Sequence, residues 1–487
     1  MDIVNKLTRQ FKAELTGRII ATISSSALTV LLARLLEPNR YGLLFLTISI
    51  FGIIKLFSKL GIGRSAARYL SEYSESDTGQ IPHILKTSFI LNISTIFITG
   101  TLLVIASERI AVLVGESELS RYLPLGALFI GFGSIVSYLR ITLQGFGEIK
   151  TSSVIYAADR FCRLFLAVSF VLLGYGVVGA LGGYILSAAL VSISGLSFLY
   201  LSFYRTIKQN TIEPNLRRRI VEYAIPLTAT NTANILDKRV DTILIGFFLN
   251  PLAVAYYTAG KQVVQFLKMP VTSLGFTLSP VYGSRKASGD SDTAARIYER
   301  SLSYGLLLYI PIGFGLLAIA EPLVKLVFGG NYTGAVPVLH VFSFYIVFQS
   351  ITELTNTSLD YLGRAKARAI VQVTTSLLNV FLNVILIPRI GIVGAAIATV
   401  ITHFLYTVAN VYVIHLELDL RIRLLLRYVV YSVILAIIIS APVYGIIRVF
   451  PGLIPMLVAV LLGVLIWTTL IEVSGLIDVR EAISSLF

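Results

Sequence analysis

Residues 223–268 read YAIPLTATNTANILDKRVDTILIGFFLN followed by PLAVAYYTAGKQVVQFLK. Two long apolar segments flank a tight Leu249-Asn250-Pro251 turn. Both carry charge inside their apolar runs: Asp237, Lys238, Arg239 and Asp241 in the first, Lys261 and Lys268 in the second. A charged side chain in the hydrocarbon core of a membrane costs roughly 2.5–3.5 kcal/mol on insertion scales, so it persists by facing a partner or a water-filled cavity. Asp237 and Asp241 are four residues apart and share one helical face. The rest of the chain is read as the wall of that cavity.

Of 487 residues, 56% are hydrophobic and only 14% are charged, against roughly a quarter charged in a soluble globular chain. Apolar runs of about 18 residues or more recur along the whole length, the mark of a polytopic helical membrane protein. Weak two-residue alternation argues against a transmembrane barrel. The first apolar run, from about Ala13, is too long for a cleaved signal and is read as a retained span. The net charge is +14, and the basic residues fall in short loops between spans. That is the pattern of positive-inside topology rather than of a nucleic-acid surface, and no nucleic-acid partner is expected. Cys162 is the single cysteine, and His83, His340, His403 and His415 have no ligand spacing, so neither a metal nor another cofactor is expected. A Walker loop, a nucleophile elbow and a zinc helix motif are all missing, which points away from an enzyme.

Fourteen spans are expected: 13–36, 42–60, 81–106, 122–143, 153–174, 178–204, 221–248, 253–280, 301–320, 337–359, 367–387, 392–416, 428–449 and 453–472. Lysines and arginines concentrate in alternate connections, among them Arg64, Arg68, Arg217, Arg218 and Arg219, which assigns those loops and both termini to the cytoplasmic side of the cell membrane. An internal repeat runs through the chain. Leu36-Glu37-Pro38 returns as Leu249-Asn250-Pro251 at an offset of 213, and Val114-Gly115 as Phe328-Gly329 at 214. Gly147–Lys150 returns as Gly363–Lys366 at 216, and Gly176–Ala180 as Gly391–Ala395 at 215. Six spans separate the copies, so the repeats run parallel, related by an axis along the membrane normal. The expected architecture is all-α: two parallel six-helix repeats forming two lobes around a central cavity, plus two extra C-terminal helices. In residues, this is an N-terminal lobe at 1–205, a basic cytoplasmic linker at 206–220, a C-terminal lobe at 221–417, and two additional helices with a short tail at 418–487.

The intramembrane charges are the candidate functional residues. Anchoring the repeat on its prolines sets Lys55 opposite Lys268, each seventeen residues past its proline; either can snorkel to the headgroups or face the cavity. Lys261 lies deeper and is assigned to the cavity, while Arg34, near the outer end of span one, can simply meet headgroups. The Asp237–Asp241 group is either neutralised locally by Lys238 or Arg239 or holds a proton- or cation-linked carboxylate. Glu353 in span ten poses the same alternative. Asp159 and Arg163, four apart, are read as a structural pair. Gln262, Gln265, Gln349, Asn356, Asn379 and Asn383 extend a polar seam, so the hydrated path is expected in the second half; the first-half counterpart of the aspartate group is Ser24, Ser25 and Ser26.

Several of these landmarks together resemble the polysaccharide-transporter branch of the multidrug/oligosaccharidyl-lipid/polysaccharide flippase superfamily, which includes O-antigen flippases. The matching residues are Leu36-Glu37-Pro38 with Tyr41-Gly42, the Gly61–Arg68 segment, Ile225-Pro226, and Asp237 to Asp241. Glu321-Pro322 to Phe328-Gly329-Gly330-Asn331-Tyr332 and Gly363-Arg364-Ala365-Lys366 complete the set. The resemblance implies a bilobed alternating-access flippase moving a polyprenyl-(pyro)phosphate-linked oligosaccharide from the inner to the outer leaflet, for surface polysaccharide or glycan assembly. It implies a cationic substrate-binding set, for which Arg34, Lys55, Arg239, Lys261 and Lys268 are the candidates. Asp237, Asp241 and Glu353 are the candidates for proton or ion coupling. Expected partners are the lipid-linked oligosaccharide, membrane lipids and glycan-assembly proteins, with the chain acting as a monomer. A lipid II-type flippase is a related option. A proton- or cation-coupled multidrug antiporter is kept open by the three acids, although the deep side chains lean basic. A membrane glycan polymerase or ligase would need catalytic groups on a sizeable outer loop, which this chain lacks.

Overall fold

The computed structural model describes the backbone of residues 2–272, 275, 290–450 and 452–474, and side chains over the same residues apart from 2–8, 11, 226–238 and 291. The described residues contain fifteen α-helices, joined by 3-10 and π turns, and no strand. In chain order they are α1 (Asp2–Leu35), α2 (Pro38–Lys59), α3 (Ile62–Ser76), α4 (Ile81–Val114), α5 (Leu119–Tyr122), α6 (Gly126–Gly145), α7 (Ile149–Phe170) and α8 (Gly176–Leu199). There follow α9 (Leu216–Phe248), α10 (Pro251–Leu267), α11 (Ser291–Val327), α12 (Val336–Tyr361), α13 (Ala365–Leu418), α14 (Ile422–Val449) and α15 (Leu453–Ser474).

Local chemistry sets the boundaries. Pro38 stands in the first turn of α2, where its missing N–H leaves no hydrogen bond unmade. The same helix ends at Leu60, in the left-handed region at φ 36°, and Gly61 at φ 67° turns the chain into α3. That short helix was expected to be loop. It is amphipathic, burying Ile62, Ala66, Tyr69, Leu70 and Tyr73 at helical spacing. Two helical stretches are too long for one crossing: residues 149–204 and Ala365–Leu418 run to 56 and 54 residues. Unbroken, the second would be about 80 Å long against a hydrocarbon core of about 30 Å. Each breaks in the middle, at Gly176 (φ 53°, ψ −133°) and at Gly391 (φ 64°, ψ −146°).

Ten stretches among the described residues are long and apolar enough to cross a membrane. Their outer faces carry Phe97, Ile105, Ile454 and Val473 at 73%, 72%, 74% and 81% exposure. Lipid tails solvate such side chains and water does not. The protein is a multi-pass membrane protein.

The chain divides into two compact units, Met1–Ala255 and Tyr256–Phe487. In the first, α1 packs on α7, α7 on α8, α6 on α4 and α8, and α9 on α2 and α3. In the second, α11 packs on α12 and α14, α12 on α13, and α14 on α15. In this division α9 goes with the first unit, and the boundary lies within α10. The physical reason is direct: Ser65 Oγ donates to the Ile220 carbonyl at 2.7 Å, and Gly246 lies so close to Leu46 that a Cβ there would come within 2.5 Å of its methyl. The basic linker is strapped to the same unit. The Gln80 amide donates to Thr211 O at 2.8 Å and accepts from Glu213 N at 3.0 Å, and Asn210 Nδ2 donates to Asp77 at 2.9 Å. Tyr73 Oη donates to Glu213, and Arg219 bonds Tyr73 and pairs with Glu213 at 3.3 Å. Burial and the Glu213 hydrogen bond push the Tyr73 phenol above its ordinary value.

Glycines with positive φ recur at the offsets of the sequence repeat: Gly115 and Gly329 (76° and 105°), Gly147 and Gly363 (74° and 77°), Gly176 and Gly391 (53° and 64°). The turn at the middle pair is bonded alike in both copies. Gly147 N and Glu148 N donate to Gln144 O and Leu143 O at 3.0 and 2.9 Å; Gly363 N and Arg364 N donate to Asp360 O and Leu359 O at 3.2 and 2.9 Å.

Candidate functional site

Within the first unit, α1, α2, α6, α7, α8 and α9 enclose a cavity of about 350 Å³. Helical spacing explains who lines it. Gly52, Lys55 and Lys59 lie along one face of α2, Phe129, Gly133, Ser137 and Arg140 along one face of α6, and Tyr156, Asp159, Arg160 and Arg163 along α7. Tyr184 comes from α8 and Arg239 from α9. These helices are otherwise largely apolar, so their charges gather where water can reach them.

Two glycines carve the space for two of the cations. A Cβ on Gly133 would stand 2.2 Å from Lys55 Nζ, and one on Gly52 would stand 3.2 Å from Arg239 Nε. The Lys55 ammonium lies 5.6 Å from the centroid of the Phe129 ring, and Lys59 donates to Ser137 Oγ at 2.9 Å. The Arg140 guanidinium stacks on Tyr156 at 3.9 Å, with Arg160 at 5.5 Å from the same ring and Arg163 at 4.7 Å from Tyr184. Cation–π contacts hold these groups in place without neutralising them. Asp159 is the one acid among the lining residues. Arg163 donates to its two oxygens at 2.9 and 2.6 Å, Arg160 lies 3.8 Å away, and Ser187 Oγ donates to its backbone carbonyl at 2.7 Å. Six basic side chains against one acid give the cavity a formal net charge of five positive units. The buried Nε donors of Arg140, Arg160 and Arg163 have no hydrogen-bond partner among the described residues. A pocket rich in charged donors and poor in acceptors is the complement of an anion bearing several oxygens.

Of the residues singled out from sequence, Lys55 and Arg239 meet in this cavity. Arg34 lies on the exposed side of α1 and outside it. Asp241 is buried at 1% exposure and does not line it, and the side chain of Asp237 lies outside the described residues. The second unit holds the others. Lys261 Nζ sits 5.5 Å from the Tyr257 ring centroid. Lys268 pairs with Glu353 at 3.1 Å, and the Gln349 amide donates to the same carboxylate at 3.0 Å. A supposed substrate cation and a supposed coupling acid thus answer each other. The Asp159–Arg163 pair is present as expected, yet it forms part of the cavity wall. Lys59, Arg140, Arg160 and Arg163 were not read as site residues, and the charged cavity was expected in the second half rather than in the first unit. A signal was available: Lys59 follows Lys55 by four residues, and Arg140 interrupts an apolar span that offers it no acid.

Fold and site together define a polytopic helical membrane protein with an internal, anion-complementary cavity. The chain belongs to the family of polysaccharide biosynthesis proteins, which it matches over residues 31–337. It is 24% identical over 412 residues to the probable low-salt glycan biosynthesis flippase Agl15 of Haloferax volcanii, covering 84% of this chain and 83% of that one. It is likewise 24% identical over 410 residues to the probable flippase AglR of the same organism, covering 82% and 81%. Among solved structures, the lipid II flippase MurJ in its inward closed conformation superposes with a TM-score of 0.77 at 16% identity, covering 96% of this chain and 99% of that one.

Proposed function

We propose that this protein is a flippase that moves a polyprenyl-(pyro)phosphate-linked oligosaccharide from the inner to the outer leaflet by alternating access, and is not an enzyme. The observation that carries this reading is the cavity itself: a formal net charge of five positive units held inside a bundle whose outer surface is made for lipid tails. Charged headgroup and sugar need a watered, cationic interior, while the polyprenyl tail is at home in hydrocarbon. Lys55, Arg160, Arg163 and Arg239 take the phosphate oxygens. Arg34 and Lys261 would meet the substrate elsewhere along its route, and Asp237, Asp241 and the Lys268–Glu353 pair are the groups available for ion coupling. The relatives that carry the name flippase support the same reading.

The architecture that goes with it has fourteen spans. The ten long stretches include two that break into a pair of helices each, and α9 and α10 add two more. Matched glycines at a constant offset support two parallel six-helix repeats forming two lobes, with the last two helices appended. An even number of spans returns both termini to one side, the cytoplasmic side by the loop charges. The chain works as a monomer that receives its cargo from glycan-assembly proteins. An antiporter for organic cations is disfavoured, because a cavity with one acid against six bases repels a cation.

The test uses proteoliposomes carrying a polyprenyl-diphosphate trisaccharide and a sugar-cleaving enzyme outside. Protein-dependent loss of protection is expected, slowed at least tenfold by the pair Lys55→Gln and Arg239→Gln at equal protein abundance. Protection unchanged by the protein, with uptake of small organic cations in its place, would replace this reading by the antiporter.

A further inference from the structure

The cavity carries more positive charge, over a longer path, than a lipid diphosphate can neutralise. Gly52, Lys55 and Lys59 descend one face of α2, and each level faces a partner: Arg239 beside Gly52, Gly133 beside Lys55, and Ser137 with Arg140 beside Lys59. From Gly52 to Lys59 this ladder is about 10 Å long at the rise of an α-helix. A diphosphate esterified at both ends bears two negative charges and is much shorter than that. Bound at the level of Lys55 and Arg239, it leaves Lys59 and Arg140 without an oxygen of the ligand to answer them. Asp159 is already engaged by Arg163 and stands near Arg160. Lys59 has only a serine hydroxyl, and Arg140 has a tyrosine ring, an unspent Nε donor and the more distant field of Asp159 and of Glu14, whose carboxylate is itself engaged by Arg18 and Ser153. Charges enclosed in this way are costly unless the ligand answers them.

Resting on the flippase reading, we propose that the transported oligosaccharide is itself acidic, with a carboxylate-bearing sugar close to its phosphate end that Lys59 and Arg140 recognise. The Arg140 guanidinium is held over the Tyr156 ring at 3.9 Å, which fixes its place for a fork-to-carboxylate contact. Neutral glycans offer this pair hydroxyl groups alone, and the second cationic level then stays unpaired.

Two polyprenyl-diphosphate trisaccharides decide it, identical except that one carries a hexuronic acid where the other carries the matching hexose. Both are measured for translocation in proteoliposomes and for binding to the detergent-purified chain. The uronate probe is expected to bind, and to cross at low concentration, at least tenfold better. The double substitution Lys59→Gln with Arg140→Gln should shrink that preference below threefold. Equal binding of the two probes by the unaltered protein overturns the inference, and so does a preference that the double substitution leaves intact. Should the binding preference hold while neither probe crosses, the flippase reading falls, and what stands is recognition of an acidic glycan by Lys59 and Arg140.

Discussion

Gly133 and Gly183 look alike in the sequence and do different work. A methyl on Gly133 would meet the tip of Lys55 at 2.2 Å, and that tip can swing aside; one on Gly183 would meet the backbone nitrogen of Ala167 at 2.3 Å, which cannot. Gly133→Ala is therefore expected to slow translocation at least fivefold with little change in thermal unfolding. Gly183→Ala should destabilise the fold by about 1–3 kcal/mol through overpacking. Parallel transport and melting measurements on the two variants check this split. Asp159 makes a second case. Replacing it by Asn leaves Arg163 buried without its counter-charge, a loss of about 3 kcal/mol for a broken buried pair. Thermal unfolding of Asp159→Asn should be lower than that of the unaltered protein, and soluble pyrophosphate should restore part of the difference. Residues such as Lys55 and Arg239 were legible as intramembrane charges because each interrupts an apolar run. Their meeting with Arg140 and Arg160 was not, since six helices contribute to the cavity and no spacing along the chain records that.

At the scale of elements, hydropathy and turn residues predicted most of the helices. The break between the expected spans 153–174 and 178–204 falls at Gly174 and Gly176, and that between 367–387 and 392–416 at Ile390 and Gly391. Gly176 and Gly391 share a backbone conformation with positive φ and strongly negative ψ that side chains other than hydrogen resist. Alanine at either position is expected to destabilise the protein by about 1–3 kcal/mol. Equal melting shifts in the two single variants would mark the positions as equivalent; a shift in only one would break the correspondence between the copies. The element that hydropathy alone misjudged is α3. Its period was helical, but its polar face and its length hid it inside what reads as a basic loop. The allegiance of α9 was also out of reach, because it rests on Ser65 reaching the Ile220 carbonyl and on Gly246 admitting Leu46.

For the whole molecule, the count of crossings carries a prediction of sidedness. With Cys162 replaced by Ser, single cysteines placed at Ser74, Glu213 and Asp419 are expected to react with a membrane-impermeant maleimide from one side. Cysteines at Asn39, Glu116 and Asn331 should react from the other. A label pattern that mixes the two groups would refute fourteen crossings. The strap formed by Tyr73, Gln80, Asn210, Glu213 and Arg219 has a consequence for how the polypeptide can be taken apart. Residues 206–215 lie between α8 and α9 and look like a tether to be cut at will, yet everything on the far side of the cut as far as α9 stays fastened to the first unit. Two fragments, 1–208 and 209–487, made as separate chains in one cell should therefore find each other and copurify. The covalent link between α8 and α9 thus lies inside a folded body, and its peptide bond is expected to be dispensable for assembly.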